Sequence, residues 1–234
     1  GRMLGTPVTV VVPKTTKKIA VDMIQDEGAN VIIHGHNWND AHDHARSLIT
    51  DKNKYIHPFD DAYLWEGYAA IIDEILEKKI VPDAVVLSVG GGGLLCGIFE
   101  GLKKNNLKHT SILAIETEGA NSLHNSYTQN KYVSIDSISS IATSLGTKKV
   151  ARQAYELSKK DNIICELVTD KDAIKSVDMF LNDHRILVEP ACGASLAPVY
   201  NRNSFFNDKK NIVIIICGGV GVTSEQLNLW KKEY

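Results

Sequence analysis

The stretch AVVLSVGGGGLLCGIFEGLKK, residues 84–104, places the strongest constraint on what this chain can fold into. A β-branched run leads into four consecutive glycines, Gly90 to Gly93, and then into a segment with helical periodicity. Glycine inside an ordered element costs up to ~1 kcal/mol relative to alanine, so four together require a reason. A strand, a glycine turn and a helix in that order direct loop amides and the free N–H groups of the helix start at one point. The helix dipole favours negative charge there. The loop has no Lys followed by Ser or Thr, which excludes a P-loop. A bland alternative is a tight turn whose glycines serve close packing alone. Gly91, Gly93 and Gly97, with Glu116 ending the next strand, also satisfy a degenerate dinucleotide fingerprint in which the acidic residue meets a ribose.

The rest of the chain alternates in the same way. Strand-like runs occupy 6–13, 29–35, 82–89, 110–117, 163–169 and 210–217, and helical patterns occupy 17–28, about 37–49, 64–78, 94–104, 148–159, 171–182, 191–200 and 223–233. Asn37 with Asp40 reads as a capping pair. Strands separated by helix-length segments indicate βαβ units, hence an α/β fold of open, mostly parallel sheets flanked by helices. The polar segment 50–63 is the best boundary, dividing a small α/β piece (1–58) from a larger α/β domain (59–234). A net charge of −2 offers no basic footprint for nucleic acid, and no apolar run approaches a membrane span. The four cysteines, Cys96, Cys165, Cys192 and Cys217, form no CxxC pair and sit in or beside apolar runs. They read as reduced, buried thiols, and the expected location is cytoplasmic.

A second glycine cluster weighs against the dinucleotide reading. IVIIICGGVGVTSEQL (212–227) again runs from a strand into glycines and a helix, with Cys217 where open parallel sheets place their ligands. Together with SVGGGGLLCG (88–97), AIETEGANSLH (114–124), ILVEPACGASLA (186–197) and FDDAYLWEGYA (59–69), this cluster resembles the L-serine/L-threonine dehydratases. These are pyridoxal-phosphate enzymes of the tryptophan-synthase-β fold type. The segments span almost the whole chain in one order, and the Cys-Gly-Gly ending points to the serine dehydratase branch. Cysteine synthase, threonine synthase and serine racemase are neighbouring alternatives within the fold type.

The resemblance implies β-elimination and deamination of L-serine, and of L-threonine, to pyruvate or 2-oxobutyrate plus ammonia. It implies that Gly90, Gly91, Gly92, Gly93 and Leu94 cradle the cofactor phosphate, and that Cys217 with Gly218 faces the pyridine nitrogen. A thiol there leaves the ring nitrogen largely unprotonated and the ring a weaker electron sink. A monovalent cation, potassium, is implied beside the loop. Its ligands would be Glu116, Ala120 and Ser122 with carbonyls of Gly90, Leu145 and Thr147. The full-length family form is usually a homodimer acting on a small amino acid.

One departure is large. GRMLGTPVTVVVP resembles the middle of the family's small domain, so the resemblance implies that the piece 1–58 is partial and that the domain 59–234 binds the cofactor. The Schiff-base lysine and the Ser/Gly/Asn-rich substrate loop have no counterpart in these residues. Lys14, Lys17 and Lys18 follow a strand but precede an ordinary helix, so no catalytic residue is assigned. The chain alone is therefore expected to be catalytically incompetent. A non-catalytic module that keeps the phosphate site, and an NAD(P)-dependent oxidoreductase, are the alternatives.

Other features read as structural. His34, His36, His42 and His44 suggest a solvated cluster rather than a metal site, because His42 and His44, two apart on a helix, diverge. Asp60 and Asp61 suit helix capping or a cross-domain contact. Glu189 before Pro190 suits a helix start, while Cys96, Cys192 and Trp65 suit packing.

Overall fold

The computed structural model describes residues 1–234, which divide into two compact units, Gly1–Ile56 and His57–Tyr234. The first unit is β1 (Thr9–Val12), α1 (Lys18–Asp26), β2 (Asn30–Ile33) and α2 (Trp38–Ser47). β1 and β2 pair in parallel, Thr9 opposite Asn30 through Val12 opposite Ile33, with α1 as the crossover. Asn37 caps α2 by accepting from the Asp40 amide at 3.1 Å, and the Asp40 carboxylate accepts from the His36 amide at 2.7 Å. The cap forms as the spacing suggests, with the return bond going to the amide of His36 rather than to that of Asn37. The apolar stripe of α1 stays open, however. No residue of the helix is buried, and Ile19 and Met23 are 46% and 42% exposed.

The second unit contains α3 (Ala62–Glu77), β3 (Ala84–Ser88), α4 (Gly93–Lys104), β4 (Ser111–Thr117), α5 (Ser122–Thr128), α6 (Arg152–Ser158), β5 (Ile163–Val168), α7 (Asp170–His184), α8 (Pro190–Tyr200), β6 (Ile212–Ile214) and α9 (Ser224–Glu233). Its sheet has the order β5-β4-β3-β6, every pairing parallel. The central strands are buried on both faces, which is why they read as continuous apolar runs rather than alternating ones. Val85, Leu87, Ile112 and Ala114 pack into one core with residues of α3, α4 and α6. Val86, Leu113 and Ile115 point the other way, against Ala191 and Ala194 of α8. A third cluster joins α7, α8 and α9 through Ile174, Val177, Leu196 and Leu227. No helix is long and apolar enough to cross a membrane.

Two elements differ from the sequence expectation. β6 ends at Ile214 rather than at Cys217. The Ile215 amide still reaches the Val86 carbonyl at 2.9 Å, but the chain then turns, and the Gly218 carbonyl accepts from the Glu189 amide at 3.0 Å. α5 has no counterpart in the sequence pattern. SLHNSYT is seven residues long and rich in polar groups that compete with the helical backbone. It folds because the buried Glu116 carboxylate accepts from its first-turn amides, a contact made by a residue outside the helix.

Glycines inside the helices differ sharply in what surrounds them. A Cβ on Gly193 of α8 would run into the carbonyl oxygen of Ala173 on α7 and come within 2.8 Å of Val177. A Cβ on Gly67 of α3 would meet nothing within 4 Å. Gly193→Ala is expected to lower stability by ~1–3 kcal/mol. Gly67→Ala is expected to raise it by up to ~1 kcal/mol. Urea unfolding followed by circular dichroism measures both.

Candidate functional site

The loops that leave the C-terminal ends of β3, β4 and β6 lie side by side, because those strands are neighbours in the sheet. The Val89 amide donates to the Ile115 carbonyl at 2.8 Å, so pairing continues to the foot of the glycine loop. From there the backbone turns. Gly92 takes a left-handed conformation at φ +87° and forms the cap of α4. Its carbonyl starts the helix by accepting from the Cys96 amide at 3.0 Å.

Protein fills the side of this loop on which side chains would stand. A Cβ on Gly91 would fall on the Phe59 ring, and one on Gly92 would fall on the Cβ of Ala154 in α6. At Gly90 it would come within 3.0 Å of the Ser144 carbonyl oxygen, and at Gly93 within 2.8 Å of the Phe59 carbonyl oxygen. The tetrad is thus required by the loop's own packing. The amides have a different fate. Those of Gly90, Gly91, Gly92, Gly93 and Leu94 donate to no protein acceptor, although Gly92 and Gly93 are buried. Buried amides are nearly always paired, so a run of unpaired donors at a helix start is the chemistry of an anion cradle.

Glu116, in β4, is 2% exposed. Its two carboxylate oxygens accept from the amides of Leu123 at 2.9 Å and His124 at 2.6 Å, in the first turn of α5. Burial dominates over those bonds and pushes the carboxyl up to about 8. The Ser122 hydroxyl, in the same turn, is buried without a hydrogen-bond partner. Ala120 stands between them, bridged to Thr117. This enclosure rules out the ribose role that the dinucleotide reading assigned to Glu116, because the carboxylate is occupied inside the protein.

The segment carrying Leu145 and Thr147 passes beside Gly90 with Ala142 and Leu145 packed into the apolar core, and a polar network that no sequence motif announces ties down the residues leading to it. Thr117 donates to Ser140 at 2.8 Å, and Ser140 donates to Asp170 at 2.6 Å. The other Asp170 oxygen accepts from the Ile141 amide at 3.0 Å. These residues lie far apart in sequence and belong to no motif, so only the tertiary fold could reveal them. The Leu145 carbonyl accepts from the Thr147 amide at 2.7 Å.

Cys217 lies three residues beyond the end of β6 and is exposed, unlike the buried thiol expected from the sequence. Partial burial of its sulfur, with Cys192 and Glu189 nearby, pushes the thiol up to about 11. Gly218 is held by Cys192, whose sulfur lies 3.4 Å from the Gly218 amide and 3.3 Å from its carbonyl oxygen. Glu189 occupies the cap position of α8 with Pro190 following, as expected at a helix start. Asp61 caps α3 by accepting from the Tyr63 amide at 2.9 Å, and Trp65 donates to the Phe59 carbonyl at 2.8 Å. In the first unit His34 stacks on His44 with centroids 4.0 Å apart, while His42 bonds the Tyr55 hydroxyl at 2.7 Å. No group of acidic, histidine or cysteine side chains is arranged to hold a metal ion.

Glu116 makes a pH prediction. Its folded value of about 8 stands above its ordinary value of 4.5, so the folded state holds the proton more tightly. The stability it contributes is complete below pH ~4.5 and is lost as pH rises through ~8. Without added cations, Glu116→Gln is expected to flatten the fall in unfolding free energy between pH 5 and 8. Urea unfolding across that range reads it.

Known proteins resemble the chain in sequence and in fold. The chain is 39% identical to the human L-serine dehydratase/L-threonine deaminase, covering 99% of this chain and 74% of that protein. It is 40% identical to the L-serine dehydratase of Dictyostelium discoideum, covering 97% of this chain and 69% of that one. A fungal L-serine ammonia-lyase from Rhizomucor miehei superposes with a TM-score of 0.89 at 32% identity, over 100% of this chain and 76% of that chain. A profile described as "Pyridoxal-phosphate dependent enzyme" matches residues 1–218. With the unpaired amides of Gly90–Leu94 at the head of α4, these matches place the chain in the pyridoxal-phosphate dependent enzyme family, among the L-serine/L-threonine ammonia-lyases.

Proposed function

We propose that this chain carries the phosphate seat of an ammonia-lyase acting on L-serine, and on L-threonine, with release of pyruvate or 2-oxobutyrate and ammonia. The observation that carries the reading is the run of acceptor-less amides from Gly90 to Leu94 at the start of α4. Five N–H groups and a helix dipole suit a dianionic phosphate, while Phe59 and Ala154 keep the loop from collapsing onto them. Bound pyridoxal phosphate would supply the electron sink that lets a proton leave the substrate α-carbon. Cys217, with Gly218 beside it, would meet the ring nitrogen. A thiol raised to about 11 stays protonated at neutral pH and can only donate weakly there.

The Glu116 group adds a cation to the reading. A buried carboxylate that holds its proton up to about 8, next to an orphaned Ser122 hydroxyl, is relieved by a cation of low charge. Glu116, Ala120 and Ser122 would hold potassium, with carbonyls of Gly90, Leu145 and Thr147 completing an all-oxygen shell.

The lysines favour a further element of the proposal. Every lysine is exposed except Lys209, which is half-buried and paired with Asp208 at 3.0 Å. None is enclosed beside the cradle to attach the cofactor covalently, so these 234 residues alone bind the cofactor and do not turn over serine.

Thermal unfolding with pyridoxal phosphate, inorganic phosphate or NAD(H) tests the seat. Both phosphates are expected to stabilise the chain, by ~2.7 kcal/mol at a hundredfold excess over Kd. Gly92→Ala, which puts a side chain at positive φ, is expected to abolish the shift. Stabilisation by NAD(H) but not by pyridoxal phosphate would overturn the reading. Potassium is expected to raise the melting temperature more at pH 8 than at pH 5, since it favours ionised Glu116. Ammonia release from L-serine by the purified chain would refute the inactivity.

A further inference from the structure

We infer that a cavity at the far end of α4, remote from the glycine loop, binds a small amphipathic anion: an apolar body of roughly ten non-hydrogen atoms carrying one carboxylate. The cavity encloses about 480 Å³. It lies at the N-terminal side of the sheet, where the α4–β4 turn supplies Leu107 and Lys108 and the lead-in to β5 supplies Asn162. The glycine loop lies at the other end of α4, twelve residues or ~18 Å away. The two sites are therefore separate.

The lining has two chemical layers. Leu102 and Leu157, 3% and 2% exposed, form a dry floor with Leu107 and Phe99. The same cavity is lined by three lysines, Lys103, Lys108 and Lys160, and by one acidic residue, Glu100. Lys103 pairs with Glu100 at 3.3 Å, whereas Lys108 and Lys160 have no ion-pair partner. Lys160 leans over the Phe99 ring at 5.3 Å from its centroid, so one cation already spans the boundary between floor and rim. Asn162 is fixed at the rim by donating to the Thr110 carbonyl at 3.0 Å.

Three cations against one anion select the sign of the ligand, and the leucine and phenylalanine floor selects its body. The volume falls within the range of ligand pockets. An inorganic anion would leave the floor wet, and a neutral hydrocarbon would leave two ammonium groups unanswered. An occupant would also bridge α4 and α6, since Gln153 and Leu157 of α6 line the opposite wall.

Calorimetric titration of the whole chain with 4-phenylbutyrate and with 4-phenylbutylamine tests this, because the two probes share a body and differ in charge. Saturable binding of the carboxylate is expected, with the amine at least ~10-fold weaker. The double variant Lys108→Glu/Lys160→Glu is expected to weaken the carboxylate ~10-fold or more. Its unfolding midpoint should fall only slightly, because both side chains are exposed and Lys160 gives up a single contact with the Phe99 ring. Lys171→Glu, on the exposed start of α7, should leave affinity unchanged. Equal affinity for the amine, no loss on double reversal, an equal loss on Lys171→Glu, or no binding up to ~10 mM would each overturn the inference.

Discussion

The glycine loop is closed by protein on one side and open in its amides on the other, and the site is organised around that asymmetry. Phe59, Ala154 and the carbonyl of Ser144 occupy the space where four side chains would stand. With that face sealed, the backbone from Gly90 to Leu94 can present its N–H groups only outward, and none finds a protein acceptor. Unpaired amides are costly in a folded chain, of order 1–3 kcal/mol each when buried. Their persistence here, at the positive end of a helix dipole, is what an anion seat requires.

On the neighbouring strand, Glu116 has the complementary role. Its carboxylate organises the first turn of α5 while lying too deep to be comfortably charged. The loop therefore accumulates donors that want negative charge, and its neighbour holds an acid that ionises readily only when positive charge arrives. Thr117, Ser140 and Asp170 tie down the segment that leads to Leu145, and apolar packing of Ala142 and Leu145 against Val86, Leu113 and Ile115 seats it beside Gly90. Such a network is directional, and it holds backbone carbonyls in one orientation more firmly than a hydrophobic contact can.

Much of this is legible in the chain alone, for reasons that can be named. The central strands are fully buried, so AVVLS and SILAIET stand out as continuous apolar runs, and the helices between them carry a clear period. Asn37 and Asp61 announce helix starts because capping chemistry is local, and Pro190 announces another because its fixed φ suits a first turn. α5 is invisible because its stability comes from Glu116, seven residues away on a strand, and not from its own propensity. The strand leading to Cys217 looks longer in sequence than it is, because the Ile-rich run keeps its β character after the chain has turned toward Glu189. The purpose of the glycines is only half visible, since Phe59 and Ala154 approach from distant segments.

By itself, the sequence determined the α/β class, the order of its elements apart from α5 and the place of the glycine loop, all of which follow from local periodicity and turn chemistry. The resemblance of its motifs determined the family. The tertiary structure alone decided that Glu116 is buried and holds its proton to about 8, that Asp170 anchors Ser140 and Ile141 from a distant helix, and that three lysines line an apolar cavity at the opposite end of α4. Burial and long-range hydrogen bonds depend on which segments meet across the sheet, and no window along the chain contains both partners.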